Sequence, residues 1–364
     1  MESLGLAPFK DAYRRRRVLV TGHTGFKGSW LALWLTELGA DVTGLSLAPP
    51  TAPNHWDLLG LRIHDYRQDI RDAPALAQAV DRAQPEIVFH LAAQSIVRRS
   101  YADPVETWAT NVLGTANLLD ACRRTATVRA IVVATSDKCY EDRGLKRAYR
   151  ETDRLGGYDP YSASKAAAEV LAASYRNAFF GARGAPLLAT VRAGNAIGGG
   201  DWSQDRLLPD LVRAVAADSR LEIRSPNAVR PWQHVLEPLA GYLSLGQRML
   251  ARDRDCATAW NFGPEKADHC SVVGLLAKMR TRWPGLAWRT TRKPGPRETR
   301  MLALDSSNAR KELGWRPVWS LDTAIGVTAD WYRHYLKTGS GESRSQLHRY
   351  IADANRARVA WVSR

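Results

Sequence analysis

A tyrosine and a lysine stand four residues apart in the run YSASK, as Tyr161 and Lys165. If the run is helical, both side chains lie on one face, because residues i and i+4 are neighbours there. A free phenol has a pKa of about 10 and is a poor base at neutral pH, but a nearby ammonium and a cationic cofactor favour the phenolate. Such a tyrosine could take a hydroxyl proton while a hydride leaves the same carbon. Because this spacing also occurs by chance at protein surfaces, its meaning depends on the surrounding fold.

A glycine-rich stretch near the N-terminus is the element that would organise such a fold. The apolar run Val18–Val20 indicates a buried parallel strand, and Gly22, Gly25 and Gly28 follow it with the spacing G-x-x-G-x-x-G. The next segment, Ser29–Leu38, is apolar at helical spacing. A strand, a glycine turn and a helix in this order predict a dinucleotide site in which the helix N-terminus faces the phosphates.

Strand-like and helix-like segments alternate through the first half of the chain. This alternation predicts an α/β fold with a doubly wound parallel Rossmann-type sheet, whose ligands bind beyond the carboxyl ends of the strands. The predicted strands are Val18–Thr21, Asp41–Leu47, Arg62–Tyr66, Glu86–Leu91, Val128–Ala134 and Leu187–Ala193, and the predicted helices include Ala73–Ala83, Pro104–Arg124 and Tyr161–Phe180. The glycine turn, 92–94, 136–138 and 192–195 all fall at strand ends, so we expect them to form one site.

The segments become shorter after Asn195, which predicts a smaller C-terminal α/β lobe that binds the substrate. We expect a dinucleotide-binding domain at 1–194, with segments near 230–263 returning to it, and the substrate lobe at 195–340. Four further expectations are an N-terminal lead-in at 1–17 that is ordered only near the first strand, a loop at 48–61, a lobe segment at Pro294–Thr299, and a basic tail at 341–364 that wraps around the protein or is mobile.

The composition argues against several classes of protein. No apolar run is long enough to span a bilayer and no signal peptide is evident, so we expect a cytoplasmic protein that does not bind membranes. The net charge is +15, but Lys and Arg are scattered, which favours steering of an anionic substrate over nucleic-acid binding. The four cysteines and the histidines lack metal-ligand spacing, so no metal site is predicted.

Several short motifs together resemble the extended short-chain dehydrogenase/reductases that act on nucleotide sugars, over the range from Val18 to about Leu321. These motifs are the glycine turn, Asp69-Ile70, His90–Ala93, Asn111–Thr115 and YSASK. A second set resembles the CDP-glucose 4,6-dehydratase branch of that family and consists of Gly22–Trp30, Thr135–Tyr140, Gly157–Tyr161, Arg192–Asn195, Gly198–Trp202 and Arg230–Val235.

The resemblance implies a three-step reaction on CDP-glucose with NAD as the cofactor. Tyr161 removes the proton of the C4 hydroxyl while hydride passes from C4 to NAD⁺; water is then lost across C5–C6, and hydride returns to C6. The product, CDP-4-keto-6-deoxyglucose, would serve deoxysugar biosynthesis, such as that of a lipopolysaccharide O-antigen.

The elimination needs an acid for the C6 hydroxyl and a base for the C5 proton, and the resemblance implies Asp137 and Lys138 for these roles. Asp137 would serve as the acid if burial raised its pKa towards neutrality. Lys138 would serve as the base only if its pKa fell by roughly 3 units, or it would stay an ammonium that stabilises the enolate while another group takes the proton. Ser136 would bind the C4 oxygen. A plain ion pair at a strand end is the structural alternative for Asp137 and Lys138.

The motifs and the resemblance together predict the residues of both binding sites. The predicted cofactor contacts are Gly22, Thr24, Gly25, Phe26, Lys27, Gly28, Ser46, Asp69, Ile70, Leu91, Ala92, Ala93, Gln94, Asn111, Tyr161, Lys165 and Arg192. The predicted substrate contacts are Arg98, Asn195, Arg206, Leu207, Arg230, His234 and Glu298. Ser46 stands where NAD-binding proteins commonly carry an acid, and Lys27 or Arg71 could take a 2′-phosphate, so NADP stays an alternative to NAD. The spacing does not identify the nucleotide base.

Three other functions compete with this prediction. A 4-epimerase is the first, but it needs no acid–base pair for C5 and C6; a dehydratase for another nucleotide hexose is the second. The third is a cofactor-binding scaffold without catalysis. The resemblance also implies a homodimer, or a dimer of dimers, in which Pro104–Arg124 and Tyr161–Phe180 pair with their copies as a four-helix bundle.

Overall fold

The computed structural model describes residues 7–145, 147–291 and 302–362. The elements of the first half, in chain order, are β1 (Arg17–Thr21), α1 (Phe26–Glu37), β2 (Asp41–Ser46), α2 (His55–Leu59), β3 (His64–Arg67), α3 (Ala73–Ala83), β4 (Ile87–His90), α4 (Val97–Ala102), α5 (Pro104–Trp108), α6 (Gly114–Arg124), β5 (Ala130–Ala134), α7 (Pro160–Ala178) and β6 (Leu187–Ala193). Those of the second half are β7 (Ala196–Ile197), α8 (Leu207–Ala216), β8 (Leu221–Ile223), β9 (Val229–Pro231), β10 (Gln233–His234), α9 (Leu236–Leu250), β11 (Ala259–Phe262), β12 (His269–Ser271), α10 (Val272–Arg282), β13 (Trp288–Thr290), α11 (Ser307–Leu313), α12 (Leu321–Thr338) and α13 (Ser343–Arg356).

One parallel sheet carries the fold. Within the described ranges its seven strands run in the order β11-β6-β5-β4-β1-β2-β3, and every neighbouring pair is parallel. The predicted doubly wound Rossmann-type sheet is therefore confirmed. A late strand, β11, joins the sheet beside β6 from the second half of the chain.

Helices cover both faces of the sheet because side chains alternate along each buried strand. In β1, Val18 packs in a core cluster with Trp30 and Trp34 of α1, whereas Leu19 packs in a second cluster with Leu118 of α6. The two faces are thus sealed by different helices, and the carboxyl ends of the strands stay open to a ligand.

The predicted helix Pro104–Arg124 is helical throughout, but a π-helical turn at Ala109–Leu113 joins α5 to α6. This turn contains the buried Asn111, whose amide hydrogen-bonds the backbone of Gln94 at the end of β4. Single π-helical turns of this kind are frequent near functional sites.

The first and last segments of the described ranges pack on the sheet layer. Phe9 and Tyr13 are fully buried, and Tyr13 donates to the carbonyl of Leu243 at 2.6 Å, so residues 7–16 of the predicted lead-in pack against the core. The predicted wrapping or mobile tail forms α13, and Trp361 beyond it stacks on Phe9 with ring centroids 5.0 Å apart. The predicted loop 48–61 contains α2.

A smaller group of elements in the second half packs around α8, α10 and α12. It includes the two-stranded pairs β8–β13 and β9–β12 and encloses a separate apolar cluster. The domain boundaries at 194 and 340 stay predictions, and the predicted segment Pro294–Thr299 lies outside the described residues. Over the described ranges, no helix has the length and apolar character required to span a bilayer.

Candidate active site

A cleft of about 1620 Å³ opens at the carboxyl ends of the strands. It gathers residues that are far apart in the sequence. From the predicted cofactor set it is lined by Gly22, Thr24, Gly25, Phe26, Lys27, Gly28, Ser46, Asp69, Ile70, Leu91, Ala92, Ala93, Gln94, Tyr161 and Lys165. From the other two sets it is lined by Ser136, Asp137, Lys138, Arg98, Asn195, Arg206, Leu207 and Arg230.

The glycine turn has the geometry that a dinucleotide requires. Gly22 has φ +75°, and a Cβ there would lie 2.6 Å from the Ala92 nitrogen. A Cβ on Gly28 would lie 2.0 Å from the Gly22 carbonyl oxygen, so only glycine fits this turn. Helix α1 starts next to Gly25 without a side-chain cap, which leaves its first N–H groups for a phosphate. The residues present therefore fit a bound dinucleotide.

Hydroxyl groups replace an acid at the end of β2. The Thr24 hydroxyl lies 2.7 Å from the Ser46 hydroxyl and donates to the Leu47 carbonyl at 3.0 Å. Asp69, at the next strand end, is held by Arg71 through contacts of 2.6 and 2.9 Å, which lower the pKa of its carboxyl. Arg71 therefore pairs with Asp69 in the cleft wall, whereas the sequence left it as a cation that could take a 2′-phosphate.

Tyr161 and Lys165 lie one turn apart on α7 and are both nearly buried. Helix α7 begins at Pro160, and the Asp159 side chain caps it by accepting from the Ser162 N–H at 2.9 Å. Burial raises the pKa of Tyr161, and the charge that lowers this pKa most is the Lys138 ammonium. From the sequence we expected Lys165 to have this effect. Burial lowers the pKa of Lys165 to about 8. The structure thus gives the Lys138 ammonium a direct effect on the phenol, while both lysines line the same cleft.

The segment after β5 places three polar side chains opposite this pair. Ser136 caps a short helical turn, accepting from the Lys138 N–H at 3.2 Å and donating to Asp137 Oδ1 at 3.0 Å. The Lys138 ammonium lies 3.4 Å from the same Oδ1. Asp137 Oδ2 is buried and has no hydrogen-bond partner among the residues that the structure describes. The ion pair foreseen as an alternative forms, but it forms in the cleft wall and leaves one carboxyl oxygen for a ligand.

Lysine and arginine side chains converge on Asp137. Lys27, at the start of α1, is half-buried, and desolvation lowers its pKa to about 8. Arg206, Lys165 and Lys138 lower it further, while Asp137 raises it. So many cations around one carboxylate suit a ligand that carries several negative charges, such as a pyrophosphate.

Two of the predicted substrate arginines are paired with carboxylates across the mouth of the cleft. Arg98 of α4 lies 2.5 Å from Asp205, and Arg206 lies 3.5 Å from Asp201. Arg206 also donates to the Ser95 hydroxyl at 3.4 Å, so it connects the second half of the chain to the loop that follows β4. Asn195 Oδ1 is buried without a hydrogen-bond partner within the described ranges.

Three predicted contact residues lie beneath the cleft instead of in its wall. Arg192 is enclosed in the core, where it pairs with Glu169 at 2.8 Å. His234 is fully buried, and its Nδ1 accepts from the Leu236 N–H at 3.3 Å. Asn111 holds the Gln94 backbone, as described above. None of these three side chains lines the cleft in this structure, so their contact with a ligand stays a prediction and the structure shows them in supporting positions.

One predicted substrate contact, Glu298, lies outside the described residues. Two acidic residues were missed by the sequence reasoning, Asp201 and Glu169. Glu169 follows Lys165 at helical spacing in the run KAAAE, so the same i and i+4 rule that identified Tyr161 and Lys165 could have found it. Asp201 stands in the glycine-rich run Gly198–Trp202 and carried no such signal.

Comparisons with known proteins agree with this geometry. The model of the GDP-mannose 4,6-dehydratase family matches residues 19–328. The CDP-glucose 4,6-dehydratase of Salmonella typhimurium (strain LT2) is 44% identical over 335 residues, which cover 90% of this chain and 93% of that protein. A dTDP-glucose 4,6-dehydratase of Xanthomonas campestris (strain B100) is 30% identical over 338 residues, covering 86% and 92% of the two chains.

A similar solved structure is DesIV, the dTDP-glucose 4,6-dehydratase of Streptomyces venezuelae, determined with NAD and TYD bound. It superposes with a TM-score of 0.75 at 26% identity and covers 87% of this chain and 97% of its own. The predicted resemblance to nucleotide-sugar dehydratases is thereby confirmed. The match of the family model to most of the sequence, together with these relatives, shows that the chain belongs to the GDP-mannose 4,6-dehydratase family.

Proposed function

We propose that the protein is an NAD-dependent nucleotide-sugar 4,6-dehydratase that acts on CDP-glucose. The observation that carries the proposal is the meeting of Tyr161 and Lys165 with Asp137 and Lys138 in the cleft above the glycine turn. The 44% identity to a CDP-glucose 4,6-dehydratase supports the choice of substrate, and similar solved structures that contain NAD support the cofactor. NAD, when bound, would take up hydrogen from C4 of the sugar and return it at C6.

Tyr161 is the residue that takes the C4 hydroxyl proton. Its phenol is buried, and the Lys138 ammonium and the Ser136 hydroxyl both favour the ionised form. Lys165 donates to the Ala134 carbonyl at 3.3 Å, which fixes its ammonium at the end of β5. The protein thus holds the proton acceptor and its stabilising cations in place before the sugar arrives.

We assign to Asp137 the role of the acid that protonates the leaving C6 hydroxyl, which requires that its carboxyl group carry a proton when the sugar is bound. Oδ1 is held by Ser136 and Lys138, and Oδ2 is the oxygen left for a substrate hydroxyl. Lys138, only part-buried, lies beside it and either takes the C5 proton or stabilises the enolate as an ammonium. A 4-epimerase needs neither group, so this pair favours the dehydratase.

Incubation of the protein and NAD with CDP-glucose, dTDP-glucose, UDP-glucose and GDP-mannose tests the proposal. We expect only CDP-glucose to lose one water, which mass spectrometry detects, and to give a 4-keto-6-deoxy product. Water loss from another nucleotide sugar in preference would reassign the substrate. A C4 epimer of unchanged mass would reject the dehydratase in favour of an epimerase.

We also propose a homodimer built on α5, the π-helical turn, α6 and α7. Large apolar side chains are exposed along these helices, with Val105 76%, Leu113 62% and Val170 59% exposed. A second copy of the chain would cover them as a four-helix bundle, since exposed apolar surface gathered on neighbouring helices marks an interaction site. Light scattering at micromolar concentration should give twice the chain mass, and Val105→Glu with Val170→Glu should give monomers. A monomer before substitution would reject the dimer.

A further inference from the structure

A buried carboxylate lies directly below the catalytic helix face. Glu169 is one turn after Lys165 on α7, and it is 4% exposed. Its Oε1 accepts from the Thr135 hydroxyl at 2.5 Å and from Arg192 Nε at 2.9 Å. Its Oε2 accepts from the Thr190 hydroxyl at 2.7 Å and from Arg192 Nη2 at 2.8 Å. Four donors therefore hold one side chain, which leaves it a single position.

The far side of this ion pair is closed as well. Arg192 Nη1 donates to the Tyr140 hydroxyl at 2.7 Å and to the Glu151 carbonyl at 3.1 Å, and its guanidinium lies 4.9 Å from the centre of the Tyr140 ring. The Tyr140 hydroxyl in turn donates to Asn261 Oδ1 at 2.8 Å, on β11. A buried pair of this kind costs desolvation and is a poor source of stability, so its presence below an active site calls for another explanation.

The Glu169–Arg192 ion pair lies where helix α7, which carries Tyr161 and Lys165, meets the end of β5. On α7, Lys165 donates to the Ala134 carbonyl, and Glu169 accepts from the next residue, Thr135. Ala134 ends β5, and Thr135 follows it and directly precedes the Ser136–Lys138 turn. Two side chains at i and i+4 thus hold two consecutive residues, which fixes the helix that carries Tyr161 against the turn that carries Asp137.

Glu169 also acts on Lys165 through its charge. Burial lowers the pKa of Lys165, whereas Glu169 is the strongest influence that raises it, followed by the Cys139 thiol. The other ionisable groups near this pair do not replace that charge. His90 is neutral, because burial lowers its pKa to about 3. Arg176 of α7 and Lys27 of α1 are basic side chains and cannot supply a negative charge.

We propose that Glu169, held by Arg192, is a positioning residue that fixes α7 to the Ser136–Lys138 turn and places a negative charge one helical turn from the Lys165 ammonium. This inference rests on the proposed function, because it assigns Glu169 to the same oxidation and elimination. It predicts two separable effects: one on geometry through Thr135 and one on charge through Lys165.

The test compares pH profiles of kcat/KM for CDP-glucose and pH profiles of NAD affinity measured by calorimetry without sugar. The alkaline midpoint of each profile is expected to report the loss of the Lys165 proton. Glu169→Gln removes the negative charge that raises the pKa of Lys165, so both midpoints should move down by about 1 pH unit or more, since an opposite charge nearby shifts a pKa by 1–3 units. Glu169→Asp keeps the charge and should restore the midpoint with a lowered kcat. Thr135→Val removes only the strand-end contact and should lower kcat without moving the midpoint.

Arg176→Met is the matched control. Arg176 donates to the Leu188 carbonyl at 2.9 Å and so also ties α7 to β6, but it lies outside the cleft wall. It should lower the melting temperature and leave the alkaline midpoints of both pH profiles unchanged, because Arg176 is not among the charges that act on Lys165. A Glu169→Gln variant that loses activity equally at every pH would overturn the proposal, because that is the result expected of a merely structural residue.

The remaining outcomes also decide. If Glu169→Gln does not fold, Glu169→Asp and Thr135→Val carry the test, and parental kcat values in both would overturn the inference. If the parent protein turns over no nucleotide sugar but its NAD profile moves as predicted, the proposed function fails and the positioning role stands. If the parent is active and the NAD profile does not move, the function stands and the positioning role fails.

Discussion

Replacement of Asp137 by Asn should separate the oxidation step from the loss of water. The amide is nearly isosteric, and its oxygen can still accept from Ser136 at 3.0 Å and Lys138 at 3.4 Å, so the turn should keep its shape. The change removes the proton that Oδ2 would give to the C6 hydroxyl. General acid catalysis contributes roughly 10²–10⁴-fold, so we expect kcat to fall by that factor, about 2.7–5.4 kcal/mol in the barrier.

The assay is rapid mixing of the NAD-loaded protein with CDP-glucose, recording reduced-nicotinamide absorbance together with product by mass spectrometry. In Asp137→Asn the absorbance should rise and persist while the dehydrated product appears slowly. Asp142→Asn, the same change at an exposed position on the cleft rim, is the control and should behave as the parent does. An Asp137→Asn variant that shows no absorbance rise, or one with parental kcat, would refute the role of Asp137.

Three other predictions follow from the same cleft. Tyr161→Phe should abolish the absorbance rise and leave the affinity for CDP-glucose nearly unchanged, because the hydroxyl is lost and the ring is kept; a rise in this variant would contradict the assignment. Protein purified without added cofactor should gain activity on addition of NAD, because Ser46 offers the ribose no charged acceptor; full activity with stoichiometric NAD retained would count against this. Turnover in deuterated water should place deuterium at C5, whose proton passes to a group that exchanges with solvent, and none at C6; deuterium at C6 would reject internal hydrogen transfer.

The sequence predicts most closely those elements that local chemistry specifies. The bounds of α3, Ala73–Ala83, match the prediction, because Asp72 caps the helix by accepting from the Ala75 N–H and Pro74 suits its first turn. The bounds of β6 also match, because Pro186 precedes the strand and Gly194 follows it. The cytoplasmic location, the lack of nucleic-acid and membrane partners and the dimer stay predictions, as do the individual roles of the site residues.

The surroundings of individual side chains were harder to predict than the secondary-structure elements. Arg192 and Arg230 both begin motifs, Arg192–Asn195 and Arg230–Val235, yet Arg192 is in the core and Arg230 lines the cleft. The reason is the alternation of side chains along β6: Thr190 and Arg192 lie on the face that α7 covers, and both contact Glu169. A motif shows that a residue type is required, but the alternation of the strand decides which partner it meets. The bounds of β3 also differ from the prediction. The sequence predicted Arg62–Tyr66, whereas the strand runs from His64 to Arg67, because its start depends on pairing with β2.

The pairing of Arg98 with Asp205 and of Arg206 with Asp201 bears on how a charged sugar nucleotide is held. A pyrophosphate that binds these guanidinium groups exchanges a carboxylate partner for a phosphate one, so its affinity reflects the difference between two ion pairs and not the full strength of either. The Arg98 and Asp205 side chains are about one-third exposed, so water and salt already weaken their contact and reduce the cost of exchange. The buried Asp137 has no such solvent screening. The cleft therefore combines exchangeable ion pairs at its mouth, which suit capture and release, with a fixed set of charges at its base, which suits catalysis.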